Sequence, residues 1–429
     1  MLRLETKAQK KYEKASNNFI IACFLMIAFM MASKSMYTAE MVELMDVFGI
    51  EEDVFGLPVT IYFCVYALAQ VLLSIFIHKI NVKVYLGITI AVSCALTCLL
   101  ALSNGLTYFC IVLGVNAIFQ AGVWAGSMFF LNKHLPVCML PKANTLMTIG
   151  FPCGTVVGYG LSSLCVGLNA WWLSFIIVGV LFLLVLVYFL ITLTALEKLP
   201  KLVSVEIDDL SNGKEVYSTT ALKVQNSVIN FNDKSGKTLF YVMIGVLCFM
   251  VYNIYSSIVE WIPKMLTDVY SLDNSIAILL SIVVPIGVSV GPVIMIALCE
   301  KYANYVVVSL VSCLVVIALG VAVMFGYTLS VIVALVLLLL YAVCSRAVCS
   351  VYETVIVSKM KDKLNAGSFA AYTNATASIG AAAAPLIMGN VVKAGGWTVT
   401  YGVLIGECLF MALLILAVLV LFVPKTKKK

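Results

Sequence analysis

Twelve stretches of this chain are each apolar enough, and long enough, to cross a lipid bilayer: 18–46, 54–78, 84–103, 107–131, 143–166, 171–194, 238–265, 275–298, 305–326, 329–358, 367–392 and 399–423. A hydrocarbon core of about 30 Å takes roughly 20 residues of helix, and only a helix satisfies its backbone polar groups without outside partners. The pattern therefore predicts an all-α polytopic membrane protein with 12 transmembrane helices. The first, seventh and tenth stretches exceed the need and are expected to project beyond the lipid.

Composition excludes the soluble alternatives. Apolar residues make up 63% of the chain and charged residues 11%, a balance that no water-exposed globular surface tolerates. The 14 cysteines form no CxxC pair and fall mostly inside spans, which argues against a disulfide scaffold or a zinc site and for small apolar packing residues. Both histidines, His78 and His134, fall in loops. No metal-ligand cluster, nucleophile elbow or phosphate-binding glycine loop is visible, so no metal, no cofactor and no catalytic residue is expected. The basic, then apolar, amino terminus lacks a convincing small-residue cleavage site, so it is expected to remain as a first span.

Lysine and arginine are retained on the cytoplasmic side during insertion. With the amino terminus inside, they crowd the amino-terminal tail, the inner loops and the run Lys425, Lys427, Lys428 and Lys429, while the outer loops keep only Lys264 and Lys393. Both termini are thus expected in the cytoplasm, in a plasma (inner) membrane. The net charge of +6 is a consequence of topology. The basic residues are spread over many segments and form no single patch, so nucleic acid is not an expected partner; the lipid bilayer is.

The one long polar stretch, 195–237, separates six spans from six. The resulting plan is a basic tail (1–17), a first bundle (18–194), a cytoplasmic linker (195–237), a second bundle (238–423) and a basic tail (424–429). The halves look related. The fifth span carries Thr148-Ile149-Gly150, then Pro152, Gly154, Gly158 and Gly160; the eleventh carries Ser378-Ile379-Gly380, then Pro385 and Gly389. Small residues let helices approach closely and proline permits bending, so Gly150, Pro152, Gly154, Gly380 and Pro385 are candidate gating positions. Two six-helix repeats about a central linker resemble the plan of the major facilitator superfamily. The resemblance implies two pseudo-symmetric bundles whose first, fourth, seventh and tenth helices line a central cavity.

Two cations lie near the middle of such helices: Lys34 in the first and Arg346 in the tenth. A charge at the bilayer centre costs about 2.5–3.5 kcal/mol on insertion scales, which selects for a wet cavity or a partner. Glu353 stands seven residues after Arg346, on the same helical face with Ser350 between, so an internal ion pair competes with substrate binding for Arg346. Tyr37 and Thr38 lie one turn from Lys34, while Glu40 is rotated off that face. The seventh helix offers Asn253, Ser256, Ser257 and Glu260 along one stripe, with Tyr252 and Tyr255 beside it; the fourth offers Asn116, Gln120 and Trp124. Lys34, Arg346, Tyr37, Thr38, Gln120, Asn253, Tyr255 and Ser256 are accordingly the candidate substrate contacts, and Glu353 and Glu260 the candidate proton carriers. Interhelical contact is the competing role for each uncharged one.

A closer resemblance is carried by collinear motifs. Ser33-Lys34-Ser35 followed by Asp53, Ser74 to Lys83, Phe119-Gln120-Ala121-Gly122-Val123-Trp124, and Val259-Glu260-Trp261-Ile262-Pro263 resemble segments of the organophosphate:phosphate antiporter branch. That branch carries glycerol-3-phosphate and hexose phosphates. Its phosphate site pairs two arginines with a lysine and a histidine. Here Lys34, Tyr255, Gln70 and Cys153 occupy the corresponding places. A phosphate dianion held by one lysine lacks the bidentate guanidinium contacts that suit it. The sequence thus predicts a monomeric carrier of a small organic anion, a carboxylate before a phosphate ester, working by exchange or proton symport. A proton-coupled exporter of amphipathic compounds and a transporter-like solute sensor are the alternatives.

Overall fold

The computed structural model describes residues 2–76, 81–136, 139–199, 229–230, 234–302, 304–360 and 366–423. Most of the expected linker, the His78-Lys79 loop and the carboxy-terminal tail lie outside the described residues. Ten spans are α1 (Leu2–Ala39), α2 (Leu57–Phe76), α3 (Val82–Leu100), α4 (Leu106–Gln120), α5 (Leu140–Gly167), α6 (Trp171–Glu197), α7 (Lys234–Glu260), α8 (Asn274–Lys301), α9 (Tyr305–Gly326) and α10 (Val331–Ser350). The final helical run, Ala366–Phe422, turns sharply at Gly396 (φ 68°, ψ −171°), a left-handed geometry that glycine adopts without steric cost, and so supplies two spans, α11 (366–395) and α12 (397–422). Twelve crossings result.

Several spans end or break earlier than hydropathy predicts. The first stops at Ala39 and resumes as Met41–Phe48; the seventh stops at Glu260 and resumes as Ile262–Tyr270, with Pro263 near the start of the new helix, where its missing N–H is no loss. The eighth runs in three pieces, Asn274–Ser281, Val283–Val288 and Val290–Lys301. After Gln120, α4 continues as Val123–His134. With 38 residues, α1 is about 57 Å long, well beyond the hydrocarbon core.

The chain forms two compact units, one of residues 1–40 with 68–221 and the other of 41–67 with 222–429. Each buries its own core and leaves aliphatic side chains outward, such as Leu184 and Ile191 on α6 and Leu413 and Val420 on α12. Such side chains suit lipid and would be a liability in water.

The two units repeat one design. Phe19 of α1 meets Phe189 of α6 at 5.5 Å between ring centroids, and Phe240 of α7 meets Phe422 of α12 at 5.4 Å. A side chain at Gly154 of α5 would collide with the Ala28 carbonyl, and one at Gly380 of α11 would collide with the Phe249 carbonyl. Asn81 caps α3 by accepting from the N–H groups of Lys83 and Val84, and Asn304 caps α9 through Val306 and Val307. The Phe19/Phe240 and Ala28/Phe249 pairs share one offset, which makes Tyr255 the counterpart of Lys34. They also pair Gly380 with Gly154, one turn from the Gly150 that the local motif suggests, because contact with the partner helix fixes the register.

Candidate functional site

In the second unit, α7 presents Tyr252, Tyr255 and Val259 as a partly exposed stripe, with intervals of three and four residues. Against it stands Arg346 of α10. Its Nη1 donates to Tyr252 Oη at 2.8 Å and to Glu353 Oε2 at 3.1 Å. The guanidinium lies 5.4 Å from the Tyr252 ring centroid and 5.6 Å from that of Tyr255, within cation–π range. The two rings stand edge to face at 6.4 Å, so they form an aromatic corner around the charge. The Arg346 and Glu353 side chains remain 27% and 25% exposed, so the ion pair is accessible.

Local backbone explains the position of Glu353. The helix α10 passes into a π-helical turn at Val351–Val355 before the short helix Ile356–Lys359. A π turn is a rare, costly insertion that re-aims side chains and occurs frequently at functional sites. Glu353 sits inside it, and the pairing with Arg346 expected from spacing is present.

The other sequence candidates separate into two groups. Lys34 is partly exposed, whereas its neighbours Ser33, Ser35, Tyr37 and Thr38 are buried. Tyr37 packs on the Phe109 ring at 5.0 Å and the Thr38 hydroxyl donates back to the Ser35 carbonyl. Neither shares the accessible face of Lys34. Gln120 is fully buried and donates to the hydroxyls of Ser33 at 2.8 Å and Ser93 at 3.1 Å; Ser93 in turn donates to Asn116 Oδ1 at 2.7 Å. These neutral groups bind α1, α3 and α4 together.

On α7, the expected stripe of Asn253, Ser256 and Ser257 is the buried one, and the tyrosines beside it take the open face. Glu260 is partly exposed at the last residue of α7. Glu40 is fully buried and accepts from the Ser174 hydroxyl at 2.5 Å. The glycines chosen for gating, and Pro385, are close-contact positions. Gly150 faces Ile27, with Cβ room of only 3.1 Å, Gly154 faces the Ala28 carbonyl, Gly380 faces the Phe249 carbonyl, and Pro385 packs against Gly56. Pro152 and Pro385 both lie inside continuous helices.

Sequence reasoning passed over Glu407, although it lies inside the last span as Arg346 lies inside the tenth. The amide of Asn253 can be placed in its site with its O and N atoms either way round. In one, Nδ2 donates to the Gly380 carbonyl at 3.3 Å; in the other, Nδ2 donates to Glu407 Oε2 at 3.1 Å and Oδ1 accepts from the Ala384 N–H at 3.2 Å. An acid in a wholly apolar span is the signal that identifies it.

The structure is similar to several solved membrane proteins. One is a bacterial homologue of the human lysosomal transporter Spinster (TM-score 0.69, 14% identity, 94% of this chain and 93% of that one). Others are a D-xylose–proton symporter (TM-score 0.66, 15% identity, 96% and 99%) and the nucleoside transporter NupG (TM-score 0.66, 14% identity, 97% and 100%). At these identities the likeness concerns the fold. No curated protein matches by sequence. Residues 23–385 match the Major Facilitator Superfamily, and the chain belongs to that superfamily: it is a multi-pass membrane protein of the secondary-transporter class.

Proposed function

We propose that the protein carries a small organic anion, a carboxylate before a phosphate ester, by alternating access, with Arg346 as its principal contact. The observation that carries this reading is the accessible Arg346–Glu353 pair held in the Tyr252–Tyr255 corner. A guanidinium is always charged and weakly hydrated, so it binds a carboxylate well while stacked on aromatic rings. Glu353 now occupies the place that a substrate carboxylate would take. An arriving anion competes with Glu353, and a proton on Glu353 removes the competitor. Proton and anion then favour each other's binding by linkage, which is the requirement for symport. Exchange follows if Glu353 keeps its charge and one anion replaces another. Lys34, whose counterpart is Tyr255, is the cation of the first unit and a second candidate contact.

The organophosphate:phosphate branch supplies the motifs but not the site, since Arg346 lies on a different helix from the arginines of that branch. The working setting is a plasma membrane, with a monomer as the unit and both termini in the cytoplasm.

The test is thermal stabilisation of purified protein against monocarboxylates, dicarboxylates, phosphate esters, inorganic phosphate, sugars and lipophilic cations, followed by flux into proteoliposomes. Carboxylate stabilisation that disappears in Arg346→Ala, with uptake that responds to an imposed proton gradient and loses that response in Glu353→Gln, supports symport. Stabilisation by lipophilic cations alone, unchanged in Arg346→Ala, sinks the anion reading in favour of the exporter; ligand binding without flux favours the sensor.

A further inference from the structure

The pair formed by Glu407 of α12 and Asn253 of α7 has a property that the Arg346 cluster lacks. Asn253 is buried, and its amide stands between the Glu407 carboxyl and two backbone groups of α11, the Gly380 carbonyl and the Ala384 N–H. Those two groups are the ends of one i to i−4 rung. The next residue, Pro385, donates no N–H, so the ladder is already interrupted there.

The two amide orientations match two states of the acid. When Glu407 is a carboxylate it can only accept, so Asn253 turns Nδ2 toward it and Oδ1 takes the Ala384 N–H. When Glu407 carries a proton on Oε2 it donates to Asn253 Oδ1, and Nδ2 then donates to the Gly380 carbonyl. Each state gives the carboxyl end of the amide a complementary partner; at the other end the first state satisfies the Ala384 N–H, whereas in the second Nδ2 reaches the Gly380 carbonyl but also faces that N–H, so the two states load the rung differently. Passing between them takes one proton from water and a half-turn of the carboxamide; no covalent bond other than O–H changes.

The groups facing this acid from neighbouring elements are uncharged. Tyr341 of α10 lies beside it, its hydroxyl 3.6 Å from Cys408 Sγ, and Cys313 of α9 donates to the Cys408 carbonyl at 3.5 Å. Tyr401 stands further along α12, beside Trp397 and Tyr327. Among the described residues no ion pair includes Glu407; in this unit Arg346 pairs with Glu353, Lys264 with Glu52 and Asp268, and Lys393 with Glu51 and Asp53.

We infer that Glu407 is a proton-binding site and that Asn253 relays its protonation to the rung of α11 preceding Pro385, making the backbone hydrogen bonding of that helix responsive to protons. The site is separate from Arg346 and Glu353, and it stands or falls without any substrate.

The experiment uses full-length protein in nanodiscs, in a background of Glu353→Gln and Glu40→Gln so that these two other acids are silent. Infrared difference spectra on acidification should contain a buried protonated-carboxyl band that is lost on adding Glu407→Gln. Adding Asn253→Ala instead should move its midpoint by about one pH unit, the effect of a hydrogen bond to a charged group. The protection of the amides of residues 380–388, corrected for the intrinsic pH dependence of exchange, should depend on pH in the parent and lose that dependence with Glu407→Gln. An unchanged band in Glu407→Gln, or pH-independent protection in the parent, overturns the inference. If Glu407→Gln does not fold, Glu407→Asp and Asn253→Ala decide: both must move the midpoint, and an unmoved midpoint in either overturns it.

Discussion

The two units share a design and differ in the polar side chains that their spans bring together, the first unit's buried acid, Glu40, lying apart on Ser174. In the first, Ser33, Ser93, Thr97, Asn116 and Gln120 form a neutral, fully buried network across α1, α3 and α4. In the second, the corresponding effort goes into titratable groups: Arg346 with Glu353, and Glu407 with Asn253. A neutral network does one thing, holding helices together, and is worth about a kilocalorie or less per bond in a membrane. An ion pair in apolar surroundings is poor glue, because desolvation offsets its attraction. Its retention in a partly exposed corner points to work other than packing. On the proposed function, anchorage falls to the first unit's polar core and chemistry to the second's.

The largest effect expected is on Arg346. Replacing it by alanine should lower anion flux in proteoliposomes by roughly 10- to 100-fold, the loss of a charged hydrogen-bonded contact. Arg346→Lys should recover only part, since an ammonium lacks the planar stack on Tyr252 and Tyr255. Wild-type flux in Arg346→Ala would remove the chemical half of the contrast.

Next come the paired glycines. Gly154→Ala and Gly380→Ala each place a methyl group against a backbone carbonyl, which cannot yield as a side chain can. Each should cost about 1–3 kcal/mol in denaturation in detergent. Gly150→Ala, facing the Ile27 side chain, should cost less. Equal losses at Gly150 and Gly154 would undo the register that relates the halves.

Smaller is Tyr252→Phe, which removes the hydroxyl that accepts from Arg346 but keeps the ring. About 1 kcal/mol, or roughly fivefold in apparent anion affinity, is expected from titration of thermal stabilisation. Smallest is Gln120→Leu, which should cost about 0.6 kcal/mol of stability and leave flux near the wild-type level. A flux loss at Gln120 as large as that at Arg346 would give the first unit a chemical role and erase the difference.

Parts of this site are legible in the chain. Arg346 and Glu353 are found by spacing, because both lie on one helix and helical geometry is local. Lys34 is found by depth in its span. Glu407 was within reach of the same rule, although its partner Asn253 was not, since nothing in sequence says that α12 packs on α7 at that level. On α7 polarity points to Asn253, Ser256 and Ser257 as well as Tyr255, and only packing shows that the first three are buried, because hydroxyls and amides that bond neighbouring helices are as polar as those that face a solute. The π turn at Val351–Val355 has no residue signature, because its register shift is decided by neighbours.

By itself the sequence determined that the chain is helical and crosses a membrane twelve times. Those follow from hydrogen bonds closed within four residues and from the apolar length a bilayer demands. Tertiary structure alone decided which glycines are equivalent, which tyrosines surround Arg346, and that Asn253 stands between Glu407 and the backbone of α11. Each of these is a contact between helices far apart in sequence, set by packing that no local periodicity encodes.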